Sequence, residues 1–282
     1  MPRADGKARE RAAQDLWRTR PRVNLVFVAH SVDAESRFGA TMLHLIGKGE
    51  KVYIVVASDG RLGCTAPGAI PELVRVRNAE QLEAARLAGV SGVFFLDLPD
   101  GELQTFKPRL KERAVYFIRR LRANAVLTYD PTLFYFPNES AGGFDRPFGA
   151  INHPDHRAVG EALLDAAYCG SALRHCFPAH ARQGLAPWAI DEIFLAAAAQ
   201  PNVAVEIGPY VDRKKELLRV YRSQGYWQWI DGAVASEKKC RYLPCSQAAF
   251  DRGLHRAEPS SSRRSGFLTP LPAEPAAAAR RR

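Results

Sequence analysis

The stretch VNLVFVAHSVDAE, Val23 to Glu35, sets the reading of the whole chain. Its first seven residues are apolar almost without interruption, as a strand buried on both faces requires. The run stops at His30 and Asp33, two side chains of metal-ligand type, and the position between them that would handle a proton is Val32.

Working outward, similar runs recur: VYIVVAS (52–58), GVFFLDL (92–98), NAVLTYD (124–130), IDEIFLAAA (190–198) and NVAVEI (202–207). Helical patterns separate them. RNAEQLEAARLAG (77–89) predicts a helix ended by Gly89, and PRLKERAVYFIRRLRAN (108–124) places Leu110, Ala114, Phe117, Ile118 and Leu121 on one face. This alternation predicts an α/β fold, a Rossmann-like, mainly parallel sheet with helices on both faces, forming a single domain over residues 22–255. In such sheets ligands bind beyond the carboxyl ends of the strands, where AHSVDAE, ASDGRLG, DLPDGEL and YDPTLFYF all fall. Residues 131–151, rich in Gly, Pro and aromatics, read as a long functional loop over that edge, and DGRLG lacks the pattern of a dinucleotide-binding turn.

The chain has 282 residues, 46 % apolar and 25 % charged, an ordinary soluble composition. No apolar run approaches the roughly 20 residues that cross a bilayer, and the N-terminus lacks a secretory segment, so the sequence predicts no membrane span and a cytoplasmic location. The net charge of +10 sits at the ends: residues 1–22 carry seven basic against three acidic side chains, and residues 256–282 six against two. The body is close to neutral. Residues 1–21 therefore read as a basic extension and 256–282 as a disordered basic tail, and no specific nucleic-acid partner is predicted. The five cysteines fall in no CxxC spacing, which argues against a disulfide framework or a thiolate metal site.

Metal-binding residues concentrate in AHSVDAE and in NHPDH (152–156). Hydrolytic zinc takes three N/O ligands and keeps one position open, and His30, Asp33 and a histidine of NHPDH would make such a set. The two histidines flanking Asp155 precede a helical pattern, RAVGEALLDAA, and are poor packing material there.

These motifs resemble the LmbE/PIG-L family of zinc-dependent de-N-acetylases, which act on N-acetylglucosaminyl conjugates. The family's A-H-P-D-D-E, four residues, then G-G-T aligns without a gap on Ala29 to Ala34 and Gly39 to Thr41, and H-P-D-H is intact as His153 to His156. Between them, Arg77, Glu80, Ala84, Ala85, Gly89 and Asp100 fall on family patterns, and KKELLRVYRSQ resembles a carboxyl-terminal segment ending in Ser223 and Gln224. The resemblance implies that His30, Asp33 and His156 hold Zn2+, that His153 polarises or protonates the amide, that Asp155 orients its neighbours, and that Arg77 contacts substrate. Arg77 pairing with Glu80 on its own helix is the competing reading.

The sequence departs from the family at two places. Val32 stands at the position of the general base and Ala34 at that of the following Glu. A register shifted by one residue would restore an Asp as base, but it would put Ala34 where a metal ligand is required, so the gapless alignment is preferred. Losing a positioned base costs about 10² to 10⁴ in rate, and Glu35 and Asp155 are the carboxylates that could take over proton transfer. The resemblance thus implies a de-N-acetylase of reduced activity acting on a small-molecule glycoconjugate. The alternatives are a metal-retaining pseudoenzyme and a different hydrolysis on the same scaffold. Leu133 to Phe136 either stack on a sugar or anchor their loop, and a homo-oligomer is compatible with the sequence.

Overall fold

The computed structural model of the chain describes residues 21–63, 70–136, 151–225, 230–245 and 267–271. The N-terminal extension up to residue 20, the loop residues 137–150 and most of the C-terminal tail lie outside the described residues.

The apolar runs become strands β1 (Val23–Val28), β2 (Lys51–Ser58), β3 (Gly92–Leu98), β4 (Ala125–Tyr129), β5 (Glu192–Ala196) and β6 (Val203–Val205), and two further strands follow, β7 (Lys239–Pro244) and β8 (Leu268–Pro270). They make one eight-stranded sheet in the order β3-β2-β1-β4-β5-β7-β6-β8. The first five are parallel to one another, and the pairings that involve β7, β6 and β8 are antiparallel. The chain builds outward from β1 to β3, then returns to place β4 on the other side of β1. That reversal opens a crevice between the carboxyl ends of β1 and β4, the ligand position of doubly wound sheets.

The helices are α1 (Asp33–Gly47), α2 (Ile70–Ala88), α3 (Lys107–Leu121), α4 (Pro154–Asp165), α5 (Pro178–Arg182), α6 (Val211–Leu218) and α7 (Ile230–Ser236). They form two groups, α3 packing on α4 and α1 packing on α6 and α7, as helices on opposite faces do. Leu110, Ala114, Phe117 and Ile118 of α3 are buried as the periodicity predicts, in one core with Leu25, Val26, Phe27, Val55 and Leu127 of the central strands.

Three expectations are corrected. The second helix begins at Ile70, not Arg77, because Pro71 is favourable in a first turn. β7 was not expected. The tail expected to be without structure contributes β8, whose Leu268 is buried and whose preceding Phe267 stacks on His44 at 3.7 Å.

An ion pair buried behind α1 joins it to the C-terminal helices. Lys214 Nζ lies 2.5 Å from Glu237 and donates to the carbonyls of Ser36 and Ala233, while Glu237 accepts the N–H groups of Ala40 and Thr41 and the Thr41 hydroxyl. A Cβ on Gly39 would sit 3.1 Å from the Lys214 stem, a tight contact. Removing one partner of such a pair strands the other charge. We expect Glu237→Ala to destabilise the protein by about 3–5 kcal/mol in urea titration, and a loss below about 1 kcal/mol would show that the pair is not needed.

Candidate metal centre between the ends of β1 and β4

The turn leaving β1 folds back on itself. The Asp33 carboxylate accepts the N–H of His30 at 2.8 Å, and the Asp33 N–H donates to the His30 carbonyl at 3.2 Å. Between them Val32 adopts φ 88° and ψ −24°, the left-handed region, which costs a β-branched residue about 1–3 kcal/mol and is held only where the surroundings demand it. The result places the Asp33 carboxylate against the His30 ring, with Oδ2 3.1 Å from Nδ1.

The second contribution comes from the start of α4. Gly160 lets this helix approach β4 so closely that a Cβ would sit 2.5 Å from the Tyr129 carbonyl oxygen. His156 accordingly reaches the site, its Nε2 3.3 Å from Asp33 Oδ2. Ligand atoms of His30, Asp33 and His156 all lie within 4.8 Å of one another, and the three residues are 8 %, 7 % and 8 % exposed. Two imidazoles and a carboxylate, without a thiolate, are the donor set of a hydrolytic zinc centre.

Tyr129 at the end of β4 holds two of the three. Its hydroxyl accepts the Ala29 N–H at 3.0 Å and donates to Asp33 Oδ2 at 2.6 Å, and its ring stacks on His156 at 4.2 Å between centroids and 2° between planes. The outer edge of His30 faces two more carboxylates. Nε2 is 2.9 Å from Asp100 Oδ1 and 3.4 Å from Asp155 Oδ2. Carboxylates on the far nitrogen orient a ligating histidine and fix its tautomer. Asp155 is itself anchored by the N–H groups of Gly101 and Leu103, and Asp100 by that of Leu62.

Charge follows this geometry. Burial alone would lower the pKa of His30, but Asp100, Asp155 and Asp33 outweigh it and raise it well above the usual value. Burial would raise Asp33, but His156 and His30 hold it well below the usual carboxylate range. Burial dominates at His156 and lowers its pKa, leaving a neutral, ligand-ready ring. His153 caps α4, accepts the Asp155 N–H at Nδ1 (3.2 Å) and faces solvent at the site mouth, with its ring 4.7 Å from His30. Its pKa is lowered to about 4, by burial first and by the neighbouring histidines next. With Nδ1 accepting, the proton of the neutral ring belongs on Nε2.

His30, His153 and Asp155 form a second cluster of potential ligands. In it the Asp155 oxygens accept the N–H groups of Gly101 and Leu103, and His153 Nδ1 accepts that of Asp155, leaving His153 Nε2 free.

The other residues singled out by sequence fall as follows. The Val32 side chain packs with Ala84, Leu218, Tyr221, Ile230 and Ala233 in a small apolar cluster. Glu35 is fully buried, both oxygens accepting hydrogen bonds, from Gln81 (2.9 Å) and Tyr221 (2.6 Å), and burial pushes its carboxyl up to about 7. Arg77 is 4 % exposed behind the His30 turn, donating to the carbonyls of Gly60 and Ser31 and to Gln224. Glu80 pairs instead with Ser223. Phe134 and Tyr135 stand exposed on the rim, Phe134 under the Arg157 guanidinium and Tyr135 bridged to Ile151. Sequence reasoning assigned no role to Tyr129, Asp100 or Gln81. A lone tyrosine ending an apolar strand was the signal for the first.

The profile of the family described as GlcNAc-PI de-N-acetylase, PIG-L, matches residues 25–167. Among curated proteins, the 1D-myo-inositol 2-acetamido-2-deoxy-alpha-D-glucopyranoside deacetylase of Mycobacterium leprae is 30 % identical over 158 residues, 47 % of this chain and 46 % of the relative. The chain thus spans about half the length of the curated relatives it matches. Among solved structures, N,N'-diacetylchitobiose deacetylase from Pyrococcus horikoshii, bound to an inhibitor, superposes with a TM-score of 0.67 at 23 % identity, over 86 % of this chain and 94 % of its own. GalB, the 4-carboxy-2-hydroxymuconate hydratase of Pseudomonas putida KT2440, superposes with 0.61 at 18 %, over 89 % and 96 %. Two different chemistries on one scaffold mean that the fold alone does not choose the reaction.

Proposed function

The chain belongs to the PIG-L, GlcNAc-PI de-N-acetylase, family, and from that premise we propose that it is a zinc-dependent hydrolase removing an acetyl or other acyl group from the nitrogen of an N-acetylglucosaminyl-type conjugate. The observation that carries this reading is the convergence of His30, Asp33 and His156 within 4.8 Å, with Tyr129, Asp100 and Asp155 bracing them. A divalent zinc held there supplies Lewis-acid polarisation of water and of the amide carbonyl. Asp33, kept ionised by the imidazoles facing it, provides the anionic donor; His156 provides a neutral one, and His30, whose carboxylate neighbours favour its protonated form, would release a proton on binding the ion. His153, at the mouth, presents Nε2–H to the amide oxygen and steadies the charge that gathers there as the carbon becomes tetrahedral. Asp155 keeps His153 and His30 in place.

The missing element is a proton acceptor for the attacking water. Val32 supplies none, Glu35 is turned into a buried network, and Asp155, braced by the Gly101 and Leu103 N–H groups and held below the usual carboxylate range beside His30, is a weak base. This favours slow turnover, and it equally supports a second reading in which the protein binds a glycoconjugate, or a protein partner, without hydrolysing it. The catalytic unit in this proposal is residues 22–255, located in the cytoplasm. Among the described residues no helix is long and apolar enough to cross a membrane.

The test is release of acetate from an N-acetylglucosaminyl conjugate by zinc-loaded protein. A rate above that of a His156→Ala control supports the hydrolase, and a rate equal to it moves the reading to the silent binder.

A further inference from the structure

The left-handed turn at Val32 brings Asp33 back onto His30, and an identifiable set of groups holds it. The Val32 N–H donates to Gln81 Oε1 at 3.1 Å. The other end of the same amide, Gln81 Nε2, donates to Glu35 Oε1 at 2.9 Å, and Glu35 Oε2 accepts the Tyr221 hydroxyl at 2.6 Å. All three side chains are fully buried. They come from three places in the chain: Gln81 from α2, Glu35 from α1, and Tyr221 just beyond α6. Tyr221 also packs against the Val32 side chain.

A primary amide suits this position for a specific reason. One end must accept from a backbone N–H and the other must donate to a carboxylate, and an amide does both in a single orientation. Val32 is the N-cap of α1, where no helical carbonyl is available to its N–H, so Gln81 satisfies a donor that would otherwise be buried alone. The hydrogen bonds of this chain run from the Val32 N–H through Gln81 to Glu35 and Tyr221, and the metal centre is reached through the Val32 backbone.

We infer that Gln81 is a positioning residue for the metal centre: it fixes the Val32 turn and thereby the His30–Asp33 geometry, while Glu35 and Tyr221 hold its amide in register. This rests on the metal-site reading above. It also assigns Glu35 a supporting role in place of proton transfer.

The test uses the full-length protein stripped of metal and titrated with Co2+, reading both the visible absorption spectrum and the dissociation constant, alongside thermal stability. Gln81→Met keeps the volume and removes both hydrogen bonds. Tyr221→Phe removes only the hydroxyl. Val115→Ala, in the core on α3, controls for a general loss of stability. Gln81→Met should weaken Co2+ binding by about tenfold or more, in the range of supporting residues at metal sites, with an altered spectrum. Tyr221→Phe should shift both in the same direction by less, and Val115→Ala should leave both unchanged.

Parent-like affinity and spectrum in Gln81→Met would overturn the inference, as would an equal loss in Val115→Ala. If Gln81→Met does not fold, Tyr221→Phe decides alone, and parent-like binding overturns it. A parent protein that binds no Co2+ is a separate result, because it removes the metal-site reading and this inference with it.

Discussion

Asp33→Ala is expected to abolish amide hydrolysis, lowering the rate by about 10³ or more, which corresponds to about 4 kcal/mol of barrier. The size follows from how many groups the carboxylate serves. Oδ2 accepts the His30 N–H, faces His30 Nδ1 and His156 Nε2, and receives the Tyr129 hydroxyl. It is the anionic donor of the set and the point about which the two histidines are arranged. Without it, two neutral imidazoles remain, too few to hold a divalent ion at the concentrations of a metal-depleted buffer. Acetate release at the parent rate from this variant would mean that the chemistry lies elsewhere.

Val32→Asp is expected to act in the opposite direction, raising acetate release by as much as about 10² to 10⁴ if the carboxylate turns toward the crevice. The backbone already favours the change, since φ 88° suits Asp better than a β-branched residue. The surroundings oppose it. The Val32 side chain lies among Ala84, Leu218, Tyr221, Ile230 and Ala233, beside the buried Glu35, so the variant should lose about 1–3 kcal/mol of stability. Val32→Asn separates the two effects. It shares the backbone preference and lacks the proton acceptor, so it should not gain rate. An unchanged rate in Val32→Asp would show that the absent base is not the only defect.

The parallel half of the sheet was legible because its central strands β1, β2 and β4 are nearly continuous apolar runs, as burial on two faces requires. The antiparallel half was harder to read. β7 alternates buried Cys240 and Tyr242 with exposed or half-exposed Lys239, Arg241 and Leu243, which in a charged stretch resembles a loop. β8 is three residues long and is a strand only because β6 offers it partners. The candidate ligands could be named from sequence because they cluster at a strand end and before a helix. The groups bracing them could not. Tyr129 and Gln81 act across 96 and 49 residues of chain, respectively, and their roles exist only after β4 and α2 have packed beside β1. Glu35, a candidate proton acceptor in the sequence, became a structural group for the same reason: folding turned it inward, toward Tyr221.

The account depends on one ion shared by His30, Asp33 and His156. Its most direct test is an anomalous difference map, recorded at the zinc edge, from crystals of the protein grown with zinc. A single peak about 2.0–2.2 Å from a nitrogen of each histidine and an oxygen of Asp33 is expected. A peak on His153 and Asp155 alone, or no peak in this crevice, would contradict it.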